Sequence, residues 1–256
     1  PTFDPNDLAG HDLSALDENY EKLNTDPQRP LVNRSINGDL YPPGSIFKVI
    51  TAAAALSSGE YTEDSMLPGP AVLELPGTTA SLPNMFPGAC GANDKVSFTR
   101  AMAISCNTAF ASVGMDIGAD ALRAQAEKFG FGDSLSVPMR VTPSTVPAEL
   151  NMPQLAQSSI GQFDVRVTPL QMAMVAAGVA NDGAVMKPYL VQSVIGSDLS
   201  VIETTDPQEL SQAVTPDVAA QLTRMMEAVV TDGSGTRAQI DGVAVAGKSG
   251  TAQHGE

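Results

Sequence analysis

Two serines, two lysines and an asparagine stand in this chain at spacings that suit acyl transfer. Ser45 and Lys48 lie three residues apart within Tyr41-Pro-Pro-Gly-Ser-Ile-Phe-Lys48. A helix starting near Ser45 puts both side chains on one face, one turn apart. A serine hydroxyl attacks a carbonyl only if something takes its proton. A lysine among Ile46, Phe47 and Val49 is a candidate base, because burial disfavours the charged amine. Ser105-Cys106-Asn107 then offers a hydroxyl able to relay a proton and an amide able to hold a peptide bond. Lys248-Ser249-Gly250-Thr251 sets a cation and hydroxyls beside a glycine, on an extended segment where a peptide substrate can pair. Singly, each pattern has an ordinary reading. Ser-x-x-Lys recurs by chance, Ser105 and Asn107 suit a helix end, and a lone lysine is usually solvated. Together and in order they offer a nucleophile, a base, a relay, and a cation beside a segment that a substrate can pair with.

The elements that must position these groups are legible in part. Pro42, Pro43 and Gly44 exclude a helix interior, so a stiff loop delivers Ser45 to the helix that follows. That helix carries the alanine-rich run to Leu56 and stops at Gly59. Helical spacing also covers Asp12–Leu23 and Asp120–Phe129, the latter ending at Gly130. Ser97, Thr168-Pro169 and Thr215-Pro216 are N-cap signatures for helices reaching Ala103, about Asn181 and about Val230. Residues 187–202 alternate across Gly196-Ser-Asp198, which predicts a hairpin. Pro68–Asn93, crowded with Pro, Gly, Thr and Asn, reads as an irregular excursion or flap. Pro1–Asn6 reads as the end of a strand and Gly242–Thr251 as a strand.

Composition narrows the classes. Hydrophobic content of 43% with 17% charged residues describes a folded globular chain of 256 residues. The 14 Lys and Arg against 29 Asp and Glu leave a net charge of −15, which opposes nucleic acid and anionic membrane surfaces as partners. The apolar runs at Val49–Leu56 and Met172–Ala180 are too short to span a bilayer. The chain opens on Pro1 with no leader-like segment and reads as a piece of a longer protein. Cys90 and Cys106 are either two buried thiols or one disulfide. With His11 and His254 near opposite ends, they offer no obvious zinc site, and no metal or cofactor is expected.

The ordered motifs resemble the transpeptidase domain of class B penicillin-binding proteins, the penicillin-binding protein A branch in particular. The likeness extends to Pro1-Thr-Phe-Asp-Pro-Asn6, Asn33-Arg34, Ile160-Gly-Gln162, Thr168-Pro-Leu-Gln171 and Met186-Lys-Pro-Tyr189, and so covers the whole chain. It implies an α/β fold of the serine β-lactamase and transpeptidase type: an antiparallel sheet with an all-helical subdomain over roughly 45–185, within one domain spanning 1–256. It also implies sheet strands before Pro1 and after Glu256, so the sheet is expected to be cut at both ends. The implied activity is D,D-transpeptidation of peptidoglycan stem peptides, with β-lactams trapped at Ser45. Lys48 acts as base, Ser105 as relay and Asn107 as orienting amide. Lys248 with Ser249, Gly250 and Thr251 takes the substrate carboxylate, and the N–H groups of Ser45 and Thr251 form the oxyanion hole. An upstream membrane anchor, an extracytoplasmic location and cell-division or elongation proteins as partners belong to the same implication.

Neighbouring functions share this chemistry. A class A β-lactamase needs a glutamate within Glu-x-x-Leu-Asn, but Pro147 stands at that place before Leu150-Asn151. A D,D-carboxypeptidase differs only in resolving the acyl-enzyme with water, and a β-lactam sensor in not turning over; both stay open. Ser249 replaces a common threonine and keeps a hydroxyl. A Cys90–Cys106 bridge would anchor the 68–93 excursion beside the site.

Overall fold

The computed structural model describes residues 2–252. Pro1 and the segment 253–256, with His254, lie outside the described residues. Asp12 caps α1 (Leu13–Asn24) by accepting from the N–H groups of Ser14 and Ala15. Asp4 accepts from Asn6 N in the same way, and a 3-10 turn over Pro5–Leu8 replaces the strand end expected there. An Asx turn followed by proline satisfies this backbone locally, without a neighbouring strand.

The core is built around α2 (Lys48–Ser58). The Pro42-Pro43 loop enters a 3-10 turn, Gly44–Phe47, that runs straight into α2. Ser45 therefore sits one turn ahead of the α-helix rather than inside it. Every residue from Lys48 to Leu56 is buried. Four consecutive alanines let neighbouring helices approach on all sides, and Gly59 ends the helix in the left-handed region at φ 77°. Around α2 pack α4 (Asn107–Ile117), α5 (Ala119–Lys128) and α8 (Pro216–Asp232), while α3 (Phe98–Ala103) lies on α8 and α6 (Met152–Ser158) on α4. The expected caps are in place: Ser97 accepts from Arg100 N, Thr215 from Val218 N, and Thr168 from Gln171 N at the start of α7 (Pro169–Ala180). Phe47, Ile50, Phe98, Phe110, Phe129, Leu222 and Met225 are fully enclosed, each worth about 1.5–3 kcal/mol of transfer free energy.

The strands are short and local. β1 (Met66–Pro68) pairs with β4 (Lys95–Ser97), and β2 (Val72–Glu74) with β3 (Ser81–Pro83). Likewise β5 (Ala184–Met186) pairs with β8 (Glu209–Gln212), and β6 (Ser193–Ile195) with β7 (Val201–Thr204). All four pairs are antiparallel. The 68–93 excursion is thus partly ordered as strands, and 193–204 is the expected hairpin. The pairing is antiparallel, as expected, and the strands form four separate two-stranded ladders among the described residues. Gly242–Thr251 is not a strand: Gly242 lies in a turn at φ 75°, and the one bridge here joins Val243 to Ile240. A strand exists only through a ladder partner, and here the backbone is tied to a helix, Gly247 N donating to Met226 O of α8 at 3.1 Å.

Candidate active site

Lys48 opens α2 with its side chain fully buried, and four acceptor atoms surround its Nζ. Ser45 Oγ lies at 3.1 Å, Ser105 Oγ at 3.2 Å, the Ser105 carbonyl oxygen at 2.9 Å and Asn107 Oδ1 at 2.7 Å. Burial first, and the nearby Lys248 charge second, hold the Lys48 amine well below the usual lysine range. Among the described residues, no ion pair includes either lysine. The bonding pattern suits a neutral amine. The Ser105 carbonyl and Asn107 Oδ1 can only accept, so they take the two N–H bonds that a neutral amine has. The nitrogen lone pair is then left for a hydroxyl, and Ser45 is within reach. The Phe110 ring, 5.6 Å from Nζ, keeps water away while favouring the cation slightly.

Ser105 turns the chain between α3 and α4 in the left-handed region, at φ 60°. A non-glycine residue there carries a small backbone strain, and the turn places its hydroxyl between the two lysines. Lys248 Nζ lies 2.8 Å from Ser105 Oγ and 2.9 Å from the Ser249 carbonyl oxygen. Ser105 Oγ is therefore a bridge from Lys48 to Lys248. Desolvation lowers the Lys248 pKa to about 8, so this amine is mostly charged at neutral pH.

The Lys248 segment reaches Ser45 because two glycines let it. A Cβ on Gly44, whose φ is +56°, would stand 2.2 Å from the Thr251 carbonyl oxygen. A Cβ on Gly250 would stand 2.9 Å from Ile46 Cγ2. Any larger residue at either position pushes the two walls apart. From the other side, Gly44 N donates to the Gly161 carbonyl at 2.9 Å, which ties the nucleophile turn to the Ile160-Gly-Gln162 stretch.

Cys90 and Cys106 form a disulfide, and it fastens the 68–93 excursion to the start of α4. Three contributors had no sequence signal of their own. Asn84 accepts from the N–H groups of Asn107 and Thr108, at 3.0 and 3.2 Å. The Pro83 carbonyl accepts from Asn107 Nδ2 at 3.1 Å, which turns Oδ1 toward Lys48. Ser234 Oγ lies 2.5 Å from Ser249 Oγ and donates to the Ala103 carbonyl at 3.1 Å, linking the Lys248 segment to α3. All three act across long sequence separations, which local patterns do not encode. Asn151, near the β-lactamase-like Glu149-Leu-Asn stretch, serves as the capping box of α6 with Gln154.

Known proteins resemble this chain over its whole length. A family model described as the penicillin binding protein transpeptidase domain matches residues 1–256. A peptidoglycan D,D-transpeptidase, PbpA, of Mycolicibacterium smegmatis is 48% identical over all of this chain, which spans 52% of that protein. The PbpA of Mycobacterium tuberculosis is 44% identical, with 52% of its length covered. The ceftriaxone acyl-enzyme structure of M. tuberculosis penicillin-binding protein A superposes with a TM-score of 0.94 over the whole chain, at 44% identity and 57% coverage of that structure. A D,D-transpeptidase domain from Eggerthella lenta superposes at 0.85, with 33% identity, over 95% of this chain and 60% of that structure. The chain spans about half the length of the curated relatives it matches.

Proposed function

This chain belongs to the penicillin-binding protein transpeptidase family, and from that premise we propose that it carries the acyl-serine centre of a peptidoglycan D,D-transpeptidase. The observation that carries the reading is the shared hydroxyl. Ser105 Oγ contacts a buried amine on one side, itself beside Ser45, and a charged amine on the other.

That arrangement supports the roles that the family resemblance implies. Ser45 Oγ attacks the carbonyl carbon of the penultimate D-alanine, and its proton passes to the lone pair of Lys48 Nζ. The N–H groups of Ser45 and Thr251 take the developing oxyanion, an effect of about 3 kcal/mol per donor. The C–N bond breaks as Ser105 hands a proton to the departing D-alanine amine, and Lys48 resupplies Ser105. Asn107 aligns the substrate amide while its Oδ1 holds Lys48. Lys248, with Ser249, Gly250 and Thr251, receives the terminal carboxylate. An acceptor-strand amine then attacks the acyl-enzyme and releases Ser45. A β-lactam acylates Ser45 by the same first step, but its leaving nitrogen stays attached, so the adduct persists. The span 1–256 acts as one transpeptidase domain, with its helical part over roughly 45–185. No helix of the described residues is long and apolar enough to cross a membrane. An extracytoplasmic site, an anchor elsewhere in the protein and cell-division or elongation partners complete the proposal.

A fluorescent penicillin mixed with the full natural protein tests it. Label that depends on Ser45 and lasts for hours is expected; label lost within minutes indicates hydrolysis and contradicts it. Turnover of a D-Ala-D-Ala peptide that yields an amide only when an amine acceptor is added is expected next. Release of D-alanine that ignores the acceptor identifies a carboxypeptidase instead.

A further inference from the structure

Asn107 can orient a substrate and hold Lys48 only if α4, whose first residue it is, starts in the right place. Helix starts expose N–H groups that need acceptors, normally a Ser, Thr, Asp or Asn at the N-cap. In α4 the N-cap is Cys106, locked in the disulfide. Of the backbone N–H groups its sulfur takes only that of Ala109, at 3.4 Å, and sulfur is a weak acceptor. The first two N–H groups, of Asn107 and Thr108, go instead to Asn84 Oδ1. Asn84 lies 23 residues upstream, is 8% exposed, and has no unused bond. Both lone pairs of Oδ1 face α4. Both N–H bonds of Nδ2 go to the Pro70 and Gly88 carbonyls, at 3.0 and 3.2 Å. The adjoining Pro83 carbonyl accepts from Asn107 Nδ2. The pair Pro83-Asn84 therefore fixes Asn107 twice: its backbone by capping, and its side-chain amide by dictating which end faces Lys48. That choice matters chemically. With Oδ1 toward Nζ the amide consumes an N–H of Lys48 and frees the lone pair for Ser45; turned over, its NH2 would compete for that lone pair.

We infer that Asn84 is a positioning residue of the acyl-transfer site, acting through Asn107 as a helix cap supplied by the 68–93 excursion. This rests on the transpeptidase reading above. It gives the excursion a task beyond covering the site: its fold sets the geometry of the base.

Three variants of the full natural protein separate positioning from mere attachment, read by the second-order rate of acylation with a fluorescent penicillin alongside melting temperature. Asn84→Ala removes the cap and is expected to slow acylation by about ten- to a hundredfold, since a misplacement near 1 Å costs rate on that scale. Asn84→Asp keeps the acceptor toward α4 and, protonated on its other oxygen, one donor toward the loop. It is expected to recover to within about threefold of the parent at its own optimal pH. Thr108→Val is the attachment control. It deletes the 2.8 Å bond from Thr108 Oγ1 to the Pro70 carbonyl, which tethers the same loop, and a longer 3.4 Å contact to Asn84 Oδ1, but leaves both capped N–H groups in place. It is expected to lower the melting temperature while acylation stays near the parent rate. The inference is overturned if Asn84→Ala acylates at the parent rate, or if Thr108→Val slows acylation as much as Asn84→Ala. If Asn84→Ala does not fold, Asn84→Asp decides: near-parent acylation supports capping, and a folded but slow protein overturns it. A parent protein that takes no label defeats the transpeptidase reading and the inference with it, which a failure confined to the variants does not.

Discussion

Lys48 and Lys248 meet the same Ser105 hydroxyl from two walls built in opposite ways. The Lys48 wall is helical, fully buried, and braced by a disulfide, a cap from Asn84 and the α2–α4 contact. The Lys248 wall is an irregular backbone without a ladder partner among the described residues, held by Gly247 to α8 and by Ser249 to Ser234. The difference follows the chemistry each amine must do. A base needs a free lone pair at neutral pH, and only deep burial removes the charge from a lysine. A carboxylate anchor must stay charged, so it keeps partial contact with water and a pKa of about 8. Rigidity follows burial: Lys48, the proposed base, is fixed to the core, and Lys248, the proposed carboxylate anchor, lies on the less buried wall.

The strongest way to break this contrast is at the base. Ser45→Ala should abolish covalent labelling, and Lys48→Ala should slow acylation about a thousandfold while the adduct, once formed, stays on Ser45. Intact-protein mass spectra over time measure both. A Lys48→Ala protein that acylates at the parent rate would place the base elsewhere. At the opposite wall, Lys248→Ala should cost on the order of a hundredfold in acylation efficiency, because it removes a partner for the substrate carboxylate. The loss should be much smaller for an analogue whose carboxylate is esterified, and equal losses for both would refute the anchor role.

A subtler separation uses pH. Acylation should rise as Lys48 sheds its proton, well below the usual lysine range, and fall near pH 8 as Lys248 becomes neutral. Lys248→Arg should move only the alkaline fall, and upward, because a guanidinium stays charged. Lys248→Ala should also bring the acidic limb to slightly higher pH, since the Lys248 charge is the lesser of the two causes depressing Lys48. The smallest effect on rate concerns the brace. Replacing both Cys90 and Cys106 by alanine should lower stability by about 3 kcal/mol on the chain-entropy argument. Acylation should stay within about threefold, because the Asn84 cap remains. Chemical denaturation and labelling rates, measured side by side, check that split.

The two walls also differ in how legible they are in the sequence. Helices announce themselves locally. Ser97, Thr168-Pro169 and Thr215-Pro216 each cap a helix with their own side chains, and Gly59 ends α2, so short windows suffice. Extended segments do not, because a strand is a property of two segments. Gly242–Thr251 has strand-like residues and no ladder, while Asp4 and Pro5 settle their backbone in a turn. In the site, Ser45, Lys48, Ser105, Asn107 and Lys248 were recognisable by type and order, and the structure brings them together. What could not be read was the support. The cap from Asn84, the amide orientation set by Pro83, the Ser234 link and the close pass of Thr251 over Gly44 all join distant residues. The left-handed Ser105 turn is a local strain that only the surrounding packing sustains.

The central claim is that one hydroxyl lies between a neutral lysine and a charged one, and nuclear magnetic resonance of 13Cε-labelled lysine tests it directly. With Lys48→Arg and Lys248→Arg used to assign the signals, Lys48 should titrate well below the usual lysine range and below Lys248, which should titrate near pH 8. A Lys48 signal still protonated at pH 8, or both signals titrating together near the ordinary lysine value of about 10.4, would contradict it.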